Sequence, residues 1–206
     1  MSLLAKKDHS MIPDILLTLP DWAIEEHKHQ PDAIPSLEER MAAVIRFSRL
    51  NFEHNTGGPF AAGVFERDSG KLIVIGVNRV VASNCSSAHA EVMALSLAQK
   101  ILGTFDLGGL GMPEYQLVVN WRPCAMCYGA VLWSGIRSLA IAGSGAELET
   151  ITGFDEGPIH PEWDVELKKR GVDLIEGVHN AQAIDVFKDF AASGALVYNG
   201  RGGTAS

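Results

Sequence analysis

Cysteine is scarce in this chain of 206 residues, with only Cys85, Cys124 and Cys127. Three thiols, two of them in one Cys-x-x-Cys, make no disulfide framework and suit a reducing compartment. Long apolar runs are missing too: no stretch approaches the roughly 20 residues that a bilayer span requires, so no membrane association is expected. The start of the chain shows no positively charged segment leading into an apolar one, which argues against a secretory leader. A cytoplasmic protein is the expectation. Clustered positive charge is the third absence. Formal net charge is -8, and the compact basic run is Lys168-Lys169-Arg170, which a solvated helix face explains. A nucleic-acid binder's electrostatic footprint is lacking, and no nucleic-acid partner is expected.

What is present suits one globular domain, since 47% of the residues are hydrophobic and the length allows a sizeable core. Pro13, Pro20, Pro31 and Pro35 interrupt any long helix before residue 36. Residues 1–35 are therefore read as an N-terminal extension wrapped over a single domain at 36–206, with His9, His27 and His29 facing solvent. Ser36 and Glu39 form a capping box for a helix from Leu37 to about Asn51. Residues 60–66 and 72–77 read as a β-hairpin turning through 67–71, and the run Leu72-Ile73-Val74-Ile75, apolar on both faces, calls for helices on both sides of its sheet. A helix over about 88–102, capped by Ser87, is followed by a strand at 117–119. Then come a helix from Cys124 to about Trp133, strands at 139–141 and 172–175, and a helix over 181–192. This alternation predicts an α/β fold of three αβα layers around a central mixed five-stranded sheet.

Two short stretches carry the chemistry. Ser87-Ala88-His89-Ala90-Glu91 offers an imidazole and a carboxylate; Pro123-Cys124-Ala125-Met126-Cys127 offers two sulfurs on one side of a helix start, where the helix dipole favours thiolates. His89, Cys124 and Cys127 are candidate Zn2+ ligands. Three protein ligands leave a tetrahedral ion one corner for water, which is the arrangement of a catalytic site. Two residues apart on a helix, His89 and Glu91 would diverge, so both reach one site only if it lies just beyond the helix end. Glu91 is the candidate general base, taking a proton from the attacking water and passing it to a ring nitrogen and the departing amine. Two duller readings compete: a redox or structural Cys-x-x-Cys, and a closed four-ligand zinc module completed by Cys85. No structural site needs Glu91.

H-x-E followed by P-C-x-x-C is the signature of zinc deaminases. With Gly57-Gly58-Pro59-Phe60-Ala61-Ala62, Val77-Asn78-Arg79-Val80, Tyr128-Gly129-Ala130 and Gly153-Phe154-Asp155-Glu156-Gly157-Pro158, the chain from about residue 36 onward resembles the cytidine deaminase superfamily. Within it, the chain resembles the guanine deaminases of bacteria, including those similar to enzymes that also act on amino-triazines such as ammeline. The resemblance implies a cytidine deaminase-like fold and a homodimer with active sites near the subunit contact. It implies a small nucleobase-like substrate, with guanine converted to xanthine and ammonia in purine metabolism. Ammeline-type triazines, pterins, cytosine and cytidine are alternatives, and bases within a nucleic acid a more distant one. It further implies that Asn78 hydrogen-bonds the base, Phe60 stacks on it, the backbone at Ala90 touches it, and Glu156 binds it or moves a proton. The residues themselves also allow a turn asparagine, a core phenylalanine and a solvated glutamate. One departure stands out: relatives commonly carry Glu before the Pro-Cys, where this chain has Trp121-Arg122. Arg122 beside the thiolates would reduce their donation to the ion, and Trp121 would reshape the pocket wall. The β-prone run 195–199 is expected to cover a neighbour's pocket or cap its own sheet, and His160, Trp163 and His179 stay outside the site.

Overall fold

The computed structural model describes residues 15–201. After α1 (Asp21–Lys28) and α2 (Leu37–Glu53) come the hairpin strands β1 (Ala61–Glu66) and β2 (Leu72–Val77), then α3 (Ala90–Leu102), β3 (Tyr115–Val119) and α4 (Ala125–Ser134). β4 (Ser138–Ile141), α5 (Glu147–Thr152), α6 (Trp163–Lys169), β5 (Asp173–Ile175) and α7 (Asn180–Ser193) complete the described residues. The five strands lie in the order β2-β1-β3-β4-β5. β1 is antiparallel to both neighbours, whereas β3, β4 and β5 run parallel.

Strand alternation divides the core. Ala61, Phe65 and Val118 face Met41, Val44 and Phe47 of α2 and Phe187 and Phe190 of α7. Ala62, Val64, Leu117 and Val119 face the opposite way, toward Ala94 and Leu95 of α3 and Val131 of α4. This is the three-layer mixed sheet expected from the sequence. Gly76 lets α3 lie directly on β2, since a Cβ there would stand 2.5 Å from the Ala94 nitrogen.

Local signals explain most boundaries. Ser36 Oγ accepts from the Glu39 N–H at 3.3 Å and starts α2, which runs two residues beyond the expected end. Gly103 and Gly135, both left-handed, stop α3 and α4. Three differences matter. Helices α1, α5 and α6 were not anticipated, being 8, 6 and 7 residues long, too short for periodicity to register. Helix α3 starts at Ala90 with His89 as N-cap, so Ser87 is not its cap. Residues 195–199 join no strand. Of the expected solvent-facing histidines, His29 is exposed, His27 is half-buried with an unpartnered Nδ1, and His9 lies outside the described residues. Lys169 and Arg170, as expected of a solvated face, both pair with Glu166 of α6. Among the described residues no helix is long and apolar enough to cross a membrane.

Candidate active site

Both chemical motifs sit at the start of a helix. His89 is extended at φ -68°, ψ 157°, so its side chain leaves before the helical turn begins, while Glu91 belongs to the first turn of α3. That break in backbone geometry removes the divergence a continuous helix would impose. Cys124 is likewise an extended N-cap, its Sγ accepting from the Cys127 N–H at 3.5 Å.

The donor atoms of His89, Cys124 and Cys127 all lie within 4.8 Å of one another, and Cys124 Sγ is 3.5 Å from His89 Nδ1. Zinc bonds of about 2.3 Å to sulfur and 2.0 Å to nitrogen put tetrahedral ligand atoms roughly 3.5 to 3.8 Å apart. The donor set therefore fits zinc. Cys85 is no part of it: its Sγ lies 3.2 Å from Ser87 Oγ on the exposed loop before α3, and the closed four-ligand sphere is excluded.

Negative charge accumulates around this cluster. The hydrogen bond from Cys127 and then that from His89 bring the Cys124 thiol down to about 4 against burial. The same bond to Cys124, with burial and the charge of Glu91, pushes Cys127 well up. Burial opposes charge on His89, yet Cys124 and Glu91 outweigh it and raise its pKa. Glu91, buried in full view of Cys124, is raised by desolvation first and the sulfur's charge second. Glu156 is pushed to about 8 by burial and then by Cys124 and Glu91. Two carboxylates and a pair of sulfurs around one imidazole form a charge pattern that a divalent cation neutralises.

Beside the donors lies a cavity of about 150 Å³ whose walls include Phe60, Asn78, His89, Ala90, Glu91 and Glu156. An engineered protein cavity of about that volume accepts benzene, so a single small ring system is the scale of the space. Asn120, fully buried, fixes the approach to Phe60 by donating to the Pro59 carbonyl at 3.0 Å and accepting from the Ala61 N–H at 3.0 Å. The Phe60 ring meets Phe154 edge-on at 5.1 Å. Asn78 is held from behind: Asn51 Nδ2 donates to the Asn78 carbonyl at 2.9 Å and to the Gly58 carbonyl at 2.8 Å. Thr56 Oγ1 lies 2.8 Å from Asn51 Oδ1 and accepts from Trp22 Nε1 at 2.9 Å. Gly57 is squeezed by this arrangement, a Cβ there falling 2.0 Å from the Asn78 carbonyl oxygen.

Residues 36–142 match the cytidine and deoxycytidylate deaminase zinc-binding region. The chain belongs to this zinc-dependent deaminase family. It is 34% identical to the guanine deaminase of Bacillus subtilis over 116 residues, which are 56% of this chain and 69% of that one. The solved guanine deaminase from Nitrosomonas europaea is 43% identical with a TM-score of 0.82, covering 87% of this chain and 97% of that one. A solved chain in complex with 2,6-diaminopurine is 43% identical with a TM-score of 0.84, over 91% of this chain and 98% of that one.

Several walls of the deaminase pocket were not read as such from the sequence. Leu196, Tyr198, Asn199 and Gly200 return to line the cavity of their own chain. Asn199 anchors that return, accepting from the Asp155 N–H at 2.8 Å and donating to the Gly153 carbonyl at 2.8 Å. An asparagine far along the chain gives no local signal of such a role. Trp121 is in the wall, as anticipated, locked by a bond from Nε1 to the Gly145 carbonyl at 3.3 Å and by edge-on contact with Phe187. Arg122 also borders the cavity, but its hydrogen bond runs from its backbone N–H to the Gly143 carbonyl at 2.8 Å. Its Nε has no partner among the described residues, so no hydrogen bond to a zinc sulfur is present. His160, Trp163 and His179 lie outside the cavity walls.

Proposed function

We propose that this deaminase hydrolyses a free amino-heterocycle of nucleobase size, with guanine, converted to xanthine and ammonia, as its leading substrate. The observation that carries the reading is a three-donor zinc cluster beside a ring-sized cavity into which Glu91, Glu156 and Asn78 are gathered. His89, Cys124 and Cys127 would hold zinc, which would supply Lewis acidity toward a water molecule. Glu91, its pKa raised by burial, takes one proton from the attacking water for the ring nitrogen, then moves the proton of the newly added hydroxyl to the leaving amine. Water and the amine-bearing carbon thereby become a carbonyl and ammonia.

Asn78 Oδ1 accepts from the Val80 N–H at 3.3 Å, which leaves its amide N–H groups to meet a carbonyl or ring nitrogen of the base. Glu156 accepts from the N–H groups of guanine's other edge or moves a proton. Phe60 offers a ring face, and the first free N–H groups of α3 at Ala90 add a donor. The guanine deaminases among the relatives, and solved relatives bearing 2,6-diaminopurine and 8-azaguanine, support this choice of substrate.

A second reading is deamination within RNA, because the chain is also 35% identical over 79 residues to the tRNA-specific adenosine deaminase of Buchnera aphidicola. The charge of -8, and a basic run engaged with Glu166, weigh against a polyanion. Ammonia release from guanine, ammeline, a pterin, cytosine, cytidine and adenosine-containing RNA tests both readings. Guanine is expected to react fastest, and Glu91→Ala to keep its zinc and lose turnover. A zinc-loaded protein that releases ammonia from none of the bases overturns the reading.

A homodimer follows from the same reading. Trp133, Phe105 and Ile101 are 89, 87 and 60% exposed near the ends of α3 and α4, an apolar surface suited to a second copy of the chain. Residues 36–206 act as one catalytic domain, with residues 15–35 laid over it, in a cytoplasm that keeps Cys85, Cys124 and Cys127 reduced.

A further inference from the structure

The loop that brings Glu156 to the cavity has no regular structure, yet its backbone is tied at several points. Gly153, left-handed at φ 79°, ends α5 and donates its N–H to the Glu149 carbonyl at 2.8 Å. Three residues on, the Glu156 N–H donates to Glu149 Oε1 at 3.4 Å. One residue of α5 thus holds the start of the loop with its carbonyl and the cavity-lining residue with its carboxylate. On its other side, the Glu156 carbonyl accepts from the Ala125 N–H at 3.1 Å, the first residue of α4 after Cys124.

We propose that Glu149 is a positioning residue for the deamination, holding Glu156 at the base through the Glu156 backbone N–H. The inference rests on the reading of Glu156 given above. Two bonds, one on each side of Glu156, fix both of its peptide planes between α5 and the tip of the zinc helix, and so fix the direction in which its side chain leaves. The bond to Glu149 is long, but an ionised acceptor strengthens it relative to a neutral one. Among the described residues no lysine or arginine pairs with Glu149 within 4.0 Å, so no surface ion pair accounts for its carboxylate. Its charge also reaches Glu156, adding to the larger effects of burial, Cys124 and Glu91 on that group. Misplacing a reacting group by about 1 Å costs roughly 10²-fold in rate, which sets the scale for losing the tie.

The test is a double-mutant cycle on the full chain with guanine, reading kcat, KM, zinc content and thermal midpoint for Glu149→Ala, Glu149→Gln, Glu156→Ala and the Glu149→Ala/Glu156→Ala pair. Glu149→Ala is expected to lower kcat by about 10- to 100-fold with zinc fully bound. Glu149→Gln, whose amide oxygen still accepts, should return to within about threefold of wild type. In the Glu156→Ala background, Glu149→Ala should add less than about twofold, since the two act as one unit. Wild-type turnover in Glu149→Ala overturns the inference. So does a Gln variant as poor as the Ala variant, a loss that simply adds to that of Glu156→Ala, or one that tracks lost zinc or a lowered midpoint. If Glu156→Ala itself reacts like wild type, the assignment of Glu156 falls first; if it is impaired and Glu149→Ala is not, only the inference about Glu149 falls.

Discussion

The side of the pocket that gathers the metal donors and the side proposed to meet the base are built differently. His89, Glu91, Cys124 and Cys127 come from two helix starts, within a few residues of a helix cap, on α3 and α4 packed against the same face of the sheet. The base side is assembled from distant loops, with Phe60, Asn78, Glu156 and Asn199 each held by hydrogen bonds or ring contacts to other segments. Reaction type is therefore encoded locally, whereas on the proposed reading choice of substrate depends on how loops meet.

Breaking the metal side should affect every substrate alike. The largest effect is expected for Cys124→Ala: zinc is lost, and ammonia release from all bases falls to background. A chelator should do the same reversibly, with activity restored by added zinc. Next comes Glu91→Ala, which should retain zinc while kcat drops by about 10²- to 10⁴-fold whichever base is supplied. The base side should behave otherwise. Asn78→Ala is expected to lower kcat/KM for guanine by about 10²-fold and to shift the ratio of rates between guanine and 2,6-diaminopurine. An unchanged ratio would erase the distinction between the two sides. Trp133→Glu lies outside both and should convert the proposed dimer to a monomer in light scattering.

The smallest effect belongs to Glu26, whose carboxyl is lowered by its hydrogen bond from Arg46 at 2.7 Å against partial burial. Because its folded pKa lies below the ordinary 4.5, its stabilisation is present above that value and disappears as acidification passes the lowered one. Glu26→Gln should therefore cost no more than about 1 kcal/mol in urea denaturation at pH 7, and progressively less in acid.

How much could be read in advance follows the same division. The hairpin, the parallel strands and the longer helices announce themselves through periodicity, caps and glycine stops such as Gly103 and Gly135. The metal donors are legible because a helix start concentrates them in a few adjacent residues. His89 as an N-cap was not, since Ser87 is the better capping residue in isolation and only the fold places the helix start at Ala90. Asn199 and Glu149 escaped for a different reason. Each works by bonding to backbone of the loop at 153–156, a relation that leaves no spacing in the chain.

The polar chain from Trp22 through Thr56 and Asn51 ends on the carbonyl of Asn78. Its outermost member, Trp22, belongs to the short helix α1. A protein shortened to begin at residue 36 should still load its ion in full, yet it should tell one purine from another less sharply.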